Sequence, residues 1–462
     1  MGYSNRMLNS LVVALALTTT QGNPVAQPTP APSVQSEPTA PLDARIAKDK
    51  ATTQPLVVPQ ANLAPAIPAV HRIAGAATQV PCSEATFDHA RQALARALDA
   101  LRATQAPTGA WMEQKPVAAT DQKKPSMAAS TAVTALGLKA FAQAGLDPKA
   151  SQEANRARRF VYDQIGPARA EFNPDPEGGL GNYVACAVVS GLAAGEDPSD
   201  LPLVERAIEW LTRTQWDQSE GVSPKLDWFG GCGYGKWGRP DLSNTQMMLD
   251  ALHDAGVSPE DPAVQRALVF LTRTQNHAAT NAAPWAQAGS NDGGFAYTPA
   301  NGGESFASDA AGEGRYGEKM PAGTPRSLRS YGSMTYAGFK SLLFAGLSRD
   351  DPRVKAALAW ISAHWTFAEN PGLGQQGYYY YIHAMARALA AAQVEEIVDA
   401  SGTSHNWRDE LVEALRSRQR GDGSFVNATA RWEESNPDLC TIYAALALEE
   451  AIKPSPKLVT AR

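Results

Sequence analysis

A chain of 462 residues, 44% hydrophobic and 19% charged, is long enough for two or three average domains or for one large repeat architecture. Its formal charge of −6 is small for that length and no Lys/Arg cluster stands out, so the basic face that a phosphate backbone requires is missing and nucleic acid is not an expected partner. The four cysteines, Cys82, Cys186, Cys232 and Cys440, lie far apart without a CxxC, which excludes a ribbon-type zinc site and a disulfide-dense scaffold and leaves one or two long-range disulfides open.

At the N-terminus, "MLNSLVVALAL" (Met7–Leu17) is an apolar run behind Arg6, too short to span a bilayer. It reads as the h-region of a signal peptide over residues 1–22, with Pro24-Val25-Ala26 as a cleavage context, so a periplasmic or secreted protein without an integral membrane segment is expected. Residues 23–81 are rich in Pro, Ala, Gln and Thr. Such a segment buries too little apolar surface to offset its ordering entropy, which predicts a disordered, semi-extended linker. The folded domain is expected over residues 82–455.

Within that domain, "VERAIEWLTRTQ" from Val204 and "VQRALVFLTRTQ" from Val264 nearly duplicate each other. Weaker copies end at Gln105, Gln164, Trp365 and Gln419, making six. Apolar residues recur three and four apart, as at Val204, Ile208 and Leu211, which predicts an amphipathic helix in each. A loop, usually Gly-rich, follows each copy and leads into a more apolar helix: 128–144, 185–194, 242–255, 331–345, 378–393 and 439–452. Four of these end in "AGLDP", "AGEDP", "AGVSPEDP" or "AGLSRDDP", where glycine takes the left-handed cap and Asp-Pro supplies the N-cap and first position of the next helix.

A helix apolar on all sides must be buried. Six polar-faced helices outside and six apolar helices inside predict an all-α fold, an (α/α)6 toroid of six helix pairs. An open superhelix is the alternative, although "CTIYAALALEEA" lacks the polar face of a terminal cap. In either arrangement the glycine-aromatic loop "GGCGYGKWGRP" carries the chain between the helices of a pair. It places Asp241 as the N-cap of the next helix, with Asp438 before "LCTIYAALAL" in the same position. Aromatic residues gather at these loops and helix starts: Tyr234, Trp237, Phe295, Tyr297, Tyr331, Tyr336 and Tyr378 to Tyr381. They would ring one mouth of the toroid, where aromatic faces line an apolar pocket or stabilise a cation.

"LDALRATQAPTGAW" (Leu98–Trp111) and "RSRQRGDGSF" (Arg416–Phe425) resemble the Gln-xxx-Gly-x-aromatic repeat of squalene cyclases. "GGCGYGKWGRPDLSNTQ" and "NDGGFAYTP" are similar to loops of the same superfamily, which includes the β subunits of protein prenyltransferases. The resemblance covers Phe87 to Ile452 and implies the same toroid. The activities it implies do not carry over intact. The Asp-x-Asp-Asp acid of squalene-type cyclases is missing, since Asp350-Asp351 follows Ser348-Arg349, and there is sequence for one barrel where those cyclases have two. Asp438-Leu439-Cys440 resembles the Asp-x-Cys half of the prenyltransferase zinc site, but no histidine follows it and His383 lies on the preceding inner helix. The thioester motif Cys-Gly-x-Gln is interrupted, because Cys232-Gly233-Tyr234 ends in Gly235.

No metal or cofactor is therefore expected, and His253, His277, His364 and His405 stand isolated. Two functions remain open. One is an isoprenoid-handling enzyme with Asp241 and Asp438 as candidate acids; the other is a non-catalytic binding or scaffold protein. In both, Tyr234, Trp237, Tyr331, Tyr336 and Tyr380 are the candidate ligand-binding residues for an apolar small molecule.

Overall fold

The computed structural model describes residues 82–112, 126–166, 171–175, 179–235, 238–300 and 328–453. The leader and linker expected over residues 1–81, and Trp237, lie outside the described residues. Among the described residues, twelve long helices follow one another in pairs. The outer member of each pair is α1 (Glu84–Thr104), α3 (Gln152–Ile165), α5 (Leu201–Thr214), α7 (Pro262–Thr274), α9 (Pro352–Ala363) or α11 (Trp407–Arg418). The inner member is α2 (Met127–Gln143), α4 (Gly181–Ala194), α6 (Leu242–Asp254), α8 (Gly332–Phe344), α10 (Tyr378–Ala391) or α12 (Pro437–Ile452). A short hairpin, β1 (Glu396–Val398) with β2 (Ser404–Asn406), joins α10 to α11 and was not foreseen from the sequence.

Burial follows the pattern of each helix. In α5, Leu203, Val204, Ala207 and Leu211 are buried while Glu205, Glu209 and Arg213 are exposed; in α12, the run from Leu439 to Ala451 is buried except for Tyr443. Each inner helix packs on the next, α2 on α4 and so on to α12, and α12 returns to α2, while α11 closes on α1 outside. The ring is therefore a closed (α/α)6 toroid, and the open superhelix is ruled out.

The glutamine that ends an outer helix is what stitches the ring. The side-chain amides of Gln105, Gln215, Gln275 and Gln419 each donate two hydrogen bonds of 2.8–2.9 Å. One goes to the carbonyl of the loop glycine (Gly109, Gly230, Gly293 or Gly423) and the other to the first half of the next outer helix (Glu153, Ala263, Arg353 or Ala93). Gln419 reaches Ala93 and so joins the last repeat to the first.

These four glycines adopt left-handed backbone (φ +81° to +93°), and a Cβ on any of them would collide with a carbonyl of the neighbouring outer helix. Two residues on, the backbone N–H of Trp111, Cys232, Phe295 or Phe425 donates to an inner-helix threonine, Thr134, Thr245, Thr335 or Thr441, at 3.0–3.1 Å. In the first and last repeats the Gln-xxx-Gly-x-aromatic spacing is thus a three-way clamp between loop, next outer helix and inner helix, and Gln215 and Gln275 make the same clamp across longer loops, with Cys232 in the aromatic position after Gly230. The α3 and α9 copies are not clamped in this way, because Gln164 lies inside its helix and α9 ends at His364-Trp365.

The turn punctuation holds at three glycines, Gly145, Gly256 and Gly346, all with positive φ. In "AGEDP" Gly195 keeps negative φ and Glu196 takes the left-handed position. Asp261 and Asp351 cap α7 and α9 with proline at the first turn. Asp197 instead caps a 3₁₀ turn (Pro198–Asp200) preceding α5, and Ser151 rather than Asp147 caps α3. All four cysteines are free thiols.

Candidate functional site

The inner helices turn one face toward the axis, and residues on that face change character along it. Near the N-terminal ends stand Tyr183 (α4), Ser243 and Met247 (α6), Tyr380 and His383 (α10) and Tyr443 (α12). Near the C-terminal ends stand Lys139 (α2), Asp250 and Asp254 (α6), Lys340 (α8), Arg387 (α10) and Glu450 (α12).

The C-terminal half is closed by ions. Asp254 pairs with Lys139 at 2.6 Å and with Arg387, so the alternate helices α2, α6 and α10 meet at the axis. Asp250 accepts from Lys340 at 2.5 Å and lies 3.6 Å from Arg387, which also pairs with Glu450 at 3.7 Å. Burial alone would raise the Asp254 carboxyl, but Arg387 and Lys139 outweigh it and hold the group far below the usual carboxylate range. Burial also pushes the Lys340 ammonium down to about 8 despite Asp250. The three cations sit in the last turns of their helices, where the dipole favours positive charge.

The N-terminal half is different. Tyr183, Met247, Tyr380, His383 and Tyr443 stand on inner helices at the centre of the ring, yet each keeps accessible surface. Aromatic rings gather around them: Tyr183 lies 5.5 Å from Tyr234, Tyr380 lies 6.0 Å from Tyr443, and His383 stacks on Tyr443 at 5.4 Å.

Hydrogen bonds tie this wall together. Ser243 Oγ bonds the phenols of Tyr183 (2.8 Å) and Tyr380 (3.1 Å). Gln246 donates to Tyr380 at 3.0 Å and accepts from Lys340 at 2.7 Å, which links the aromatic half to the ionic floor.

Asp241 is the N-cap of α6, as expected. Its Oδ1 accepts from the Asn244 backbone N–H at 2.8 Å and its Oδ2 from Asn244 Nδ2 at 2.9 Å. It is 1% exposed. Burial raises its carboxyl to about 6, although Asn244, Tyr297 and Arg239 all pull the other way. Tyr297 in turn lies 3.3 Å from the Tyr234 hydroxyl, and its carbonyl accepts from Leu242 N at 2.8 Å. Such a group can exchange a proton near neutral pH, but both its oxygens are already engaged.

The expected site residues therefore separate. Asp241, Tyr234, Tyr331 and Tyr380 are brought together, the last three all close enough to feel the Asp241 charge. Tyr336 is not with them: it is buried in the wall between α8 and α10, edge-on to Tyr381 at 5.7 Å. Asp438 is not an N-cap. Asn436 caps α12, and Asp438 in the first turn accepts from Thr104 Oγ1 (2.6 Å) and Met112 N (2.9 Å), fastening the first loop to the last helix. The extra residues "NP" before Asp438 shift the cap upstream.

Cys440 donates to the Glu434 carbonyl at 3.0 Å, and Asp438 and Cys440 share no partner. Among the described residues no group of three His, Cys, Asp or Glu is placed to hold a metal ion. Nor, among them, is any helix long and apolar enough to cross a membrane.

Sequence reasoning passed over the ion-paired floor, Tyr183, Tyr443 and Glu434. The floor had a visible signal, charge in the last two turns of inner helices: Lys139, Lys340 and Arg387 each alone on its helix, and Asp250 with Asp254 on α6. Glu434 had none. It reaches across from the following loop to accept from Tyr380 N at 2.8 Å, capping α10, whose own N-cap is Gly377.

Neither a family model nor a curated protein matches the sequence. Solved structures that align with it include a type II terpene cyclase from Scytonema in complex with merosterolic acid A (14% identity, 80% of this chain and 99% of that one, TM-score 0.44). Others are cellobiose 2-epimerase from Bacillus thermoamylovorans (10%, 79% and 99%, TM-score 0.47) and Candida albicans protein geranylgeranyltransferase-I (12%, 69% and 82%, TM-score 0.39). The chain has an (α/α)6 toroid fold, established by its own closing contacts. Proteins of such different activities carry nothing further to its chemistry.

Proposed function

We propose that this protein binds an apolar small molecule of isoprenoid type in the N-terminal half of its bore, and that it does so outside the cytoplasm, where the expected leader would send it. The reading rests on one observation: five side chains on inner helices, four of them aromatic, keep accessible surface although those helices are otherwise largely buried. Apolar walls with a few fixed polar groups are what a small-molecule site requires. The ion-paired floor closes one end and gives the site a depth. Incubation with a panel of polyprenyl alcohols and hydrocarbons, followed by native mass spectrometry, tests the reading; retention of none of them refutes it.

A catalytic reading is supported by a separate observation, the buried Asp241 carboxyl raised to about 6 among phenols. Against it stands the commitment of both carboxylate oxygens to the helix cap and Tyr297. We favour binding without turnover. Conversion of any panel member by the wild type, abolished in Asp241→Asn, reverses that preference.

A further inference from the structure

His405, isolated in the sequence, is held in the structure between two carboxylates. Its Nδ1 lies 2.5 Å from Glu410 Oε1 and its Nε2 lies 3.2 Å from Asp399 Oδ2. Each carboxylate gives its other oxygen to a further partner. Asp399 Oδ1 accepts from Ser401 N (2.8 Å), Ser401 Oγ (2.6 Å) and Thr403 N (2.9 Å), which shapes the turn of the hairpin between β1 and β2. Glu410 Oε2, in the first turn of α11, accepts at 3.0 Å from Nε1 of Trp365, just past the end of α9. The imidazole therefore completes a chain of contacts from hairpin to α11 to α9.

This joint stands where the regular fastening of the outer ring is missing. Gln105, Gln215, Gln275 and Gln419 fasten α1 to α3, α5 to α7, α7 to α9 and α11 to α1 through amide groups that do not titrate. Arg158 fastens α3 to the residue before α5: its Nε reaches both oxygens of Asp200, at 2.9 and 3.1 Å, and a guanidinium keeps its charge throughout the working pH range. Between α9 and α11 the corresponding bridge, from the end of one outer helix to the start of the next, is Trp365 to Glu410, and Glu410 is shared with a histidine.

Protonation decides whether this joint is satisfied. A neutral imidazole has one N–H and one lone pair, and the lone pair would be aimed at an ionised carboxylate, which can only accept. Both contacts are hydrogen bonds when both ring nitrogens are protonated. The charged groups facing the ring are Asp399 from its own hairpin and Glu410 from α11; α9 presents Trp365, and the adjacent His364 is stacked on Trp360 at 4.0 Å instead. Burial alone would lower the imidazole, but Glu410 and Asp399 outweigh it and hold it above its ordinary range.

We propose that the junction of α9 and α11 is a pH-sensitive joint of the toroid, fastened while His405 carries two protons and loosened when it loses one. The loosening is local, because farther along α11 Arg418 donates to the carbonyls of Phe367 and Ala368 at 3.2 and 3.3 Å. Its sign follows from the raised imidazole: the contribution is complete below the unfolded value of about 6.5 and is lost as pH rises through the folded one. The joint is tight in mild acid and slack in alkali, whatever the bore binds.

Hydrogen exchange mass spectrometry of the full chain at pH 6.0 and 9.0, with each rate divided by its intrinsic chemical rate, reads the joint over residues 396–412. Protection there should fall about three- to fivefold from the lower pH to the higher, the yield of a partly exposed ion pair, while the Gln275 junction changes by less than about 1.5-fold. His405→Gln keeps one donor and one acceptor without the charge, and should bring the two pH values within about 1.5-fold of each other at the joint. In protein labelled with carbon-13 at histidine Cε1, the His405 resonance, assigned by its absence from that variant, should titrate above about 6.5. Equal protection of the wild-type joint at both pH values overturns the proposal without need of a variant, and so does a His405 midpoint at or below about 6.5. A pH ratio that survives in His405→Gln assigns the change to another group and overturns it as well.

Discussion

Asp254 is the residue on which the ionic floor turns, and Asp254→Asn measures what that floor contributes. The carboxylate pairs with Lys139 and Arg387. Asparagine preserves the shape and one acceptor but removes the charge. Arg387 would keep Asp250 and Glu450 at 3.6 and 3.7 Å, whereas Lys139 has Asp254 as its ion-pair partner and its side chain is 5% exposed. The change therefore strands one buried ammonium, a class of defect that costs about 3–5 kcal/mol.

With an unfolding entropy of roughly 2.1 cal/mol/K per residue over the roughly 370 residues from Cys82 to Lys453, that corresponds to a fall of about 4–6 °C in Tm. Removing the stranded cation as well, in Asp254→Asn/Lys139→Met, should recover more than half of the loss. A cycle through the four proteins by urea titration and calorimetry gives the coupling energy. A single-variant loss below about 1 kcal/mol, or a double variant no more stable than Asp254→Asn, would refute the claim that this pair is dry and mutually dependent. The pH dependence has a definite sign. The folded carboxyl lies far below its unfolded value of about 3.9, so its contribution is complete above that value and is lost only as pH falls toward the depressed one.

Asp241 gives the opposite sign: with its folded value raised to about 6, the native state holds a proton that the unfolded chain has released above about 3.9, so this group's contribution declines as pH rises from about 4 to 6. Asp241→Asn should flatten the stability profile across that window, and an unchanged slope by urea titration at pH 4.5 and 7 would show that the carboxyl is not raised. Gln419→Ala removes two hydrogen bonds at the point where the ring closes and should cost about 2 kcal/mol, with amide exchange accelerating in α1 and α11; a loss below 0.5 kcal/mol by denaturant titration, roughly the surface-substitution range, would mean the clamp does not hold the seam. Gly423→Ala and Gly402→Ala share φ +87°, but a Cβ meets the Arg96 carbonyl at the first and nothing within 4 Å at the second. The second should cost about 1–2 kcal/mol from the backbone alone and the first clearly more, and equal melting shifts would remove the close-approach explanation.

The repeat, the helix pairs and their inside-outside order were legible in the sequence because each rests on local spacing. Amphipathic periodicity marks α5 and α7, Asp-Pro marks the starts of α7 and α9, and a glycine that must be left-handed marks Gly256 and Gly346. The cap at Asp241 was legible for the same reason, since a cap acts within three residues. Where spacing was deceptive the reading failed, as at Asp438, two residues past the true cap Asn436.

Only the tertiary structure decided which residues share the bore. Lys139 meets Asp254 across 115 positions of sequence, and Tyr380 meets Ser243 across 137. Contacts of that kind depend on the rotation of each helix about its own axis and on closure of the ring, and both are fixed by the packing of six helices at once. Tyr336 and Tyr380 show the consequence: each begins an inner helix among aromatic neighbours, yet one turns into the wall and the other into the bore. The sequence determined the kind of surface each helix carries; the closed ring determined which of those surfaces meet at the axis, because burying every apolar face simultaneously leaves each helix one orientation.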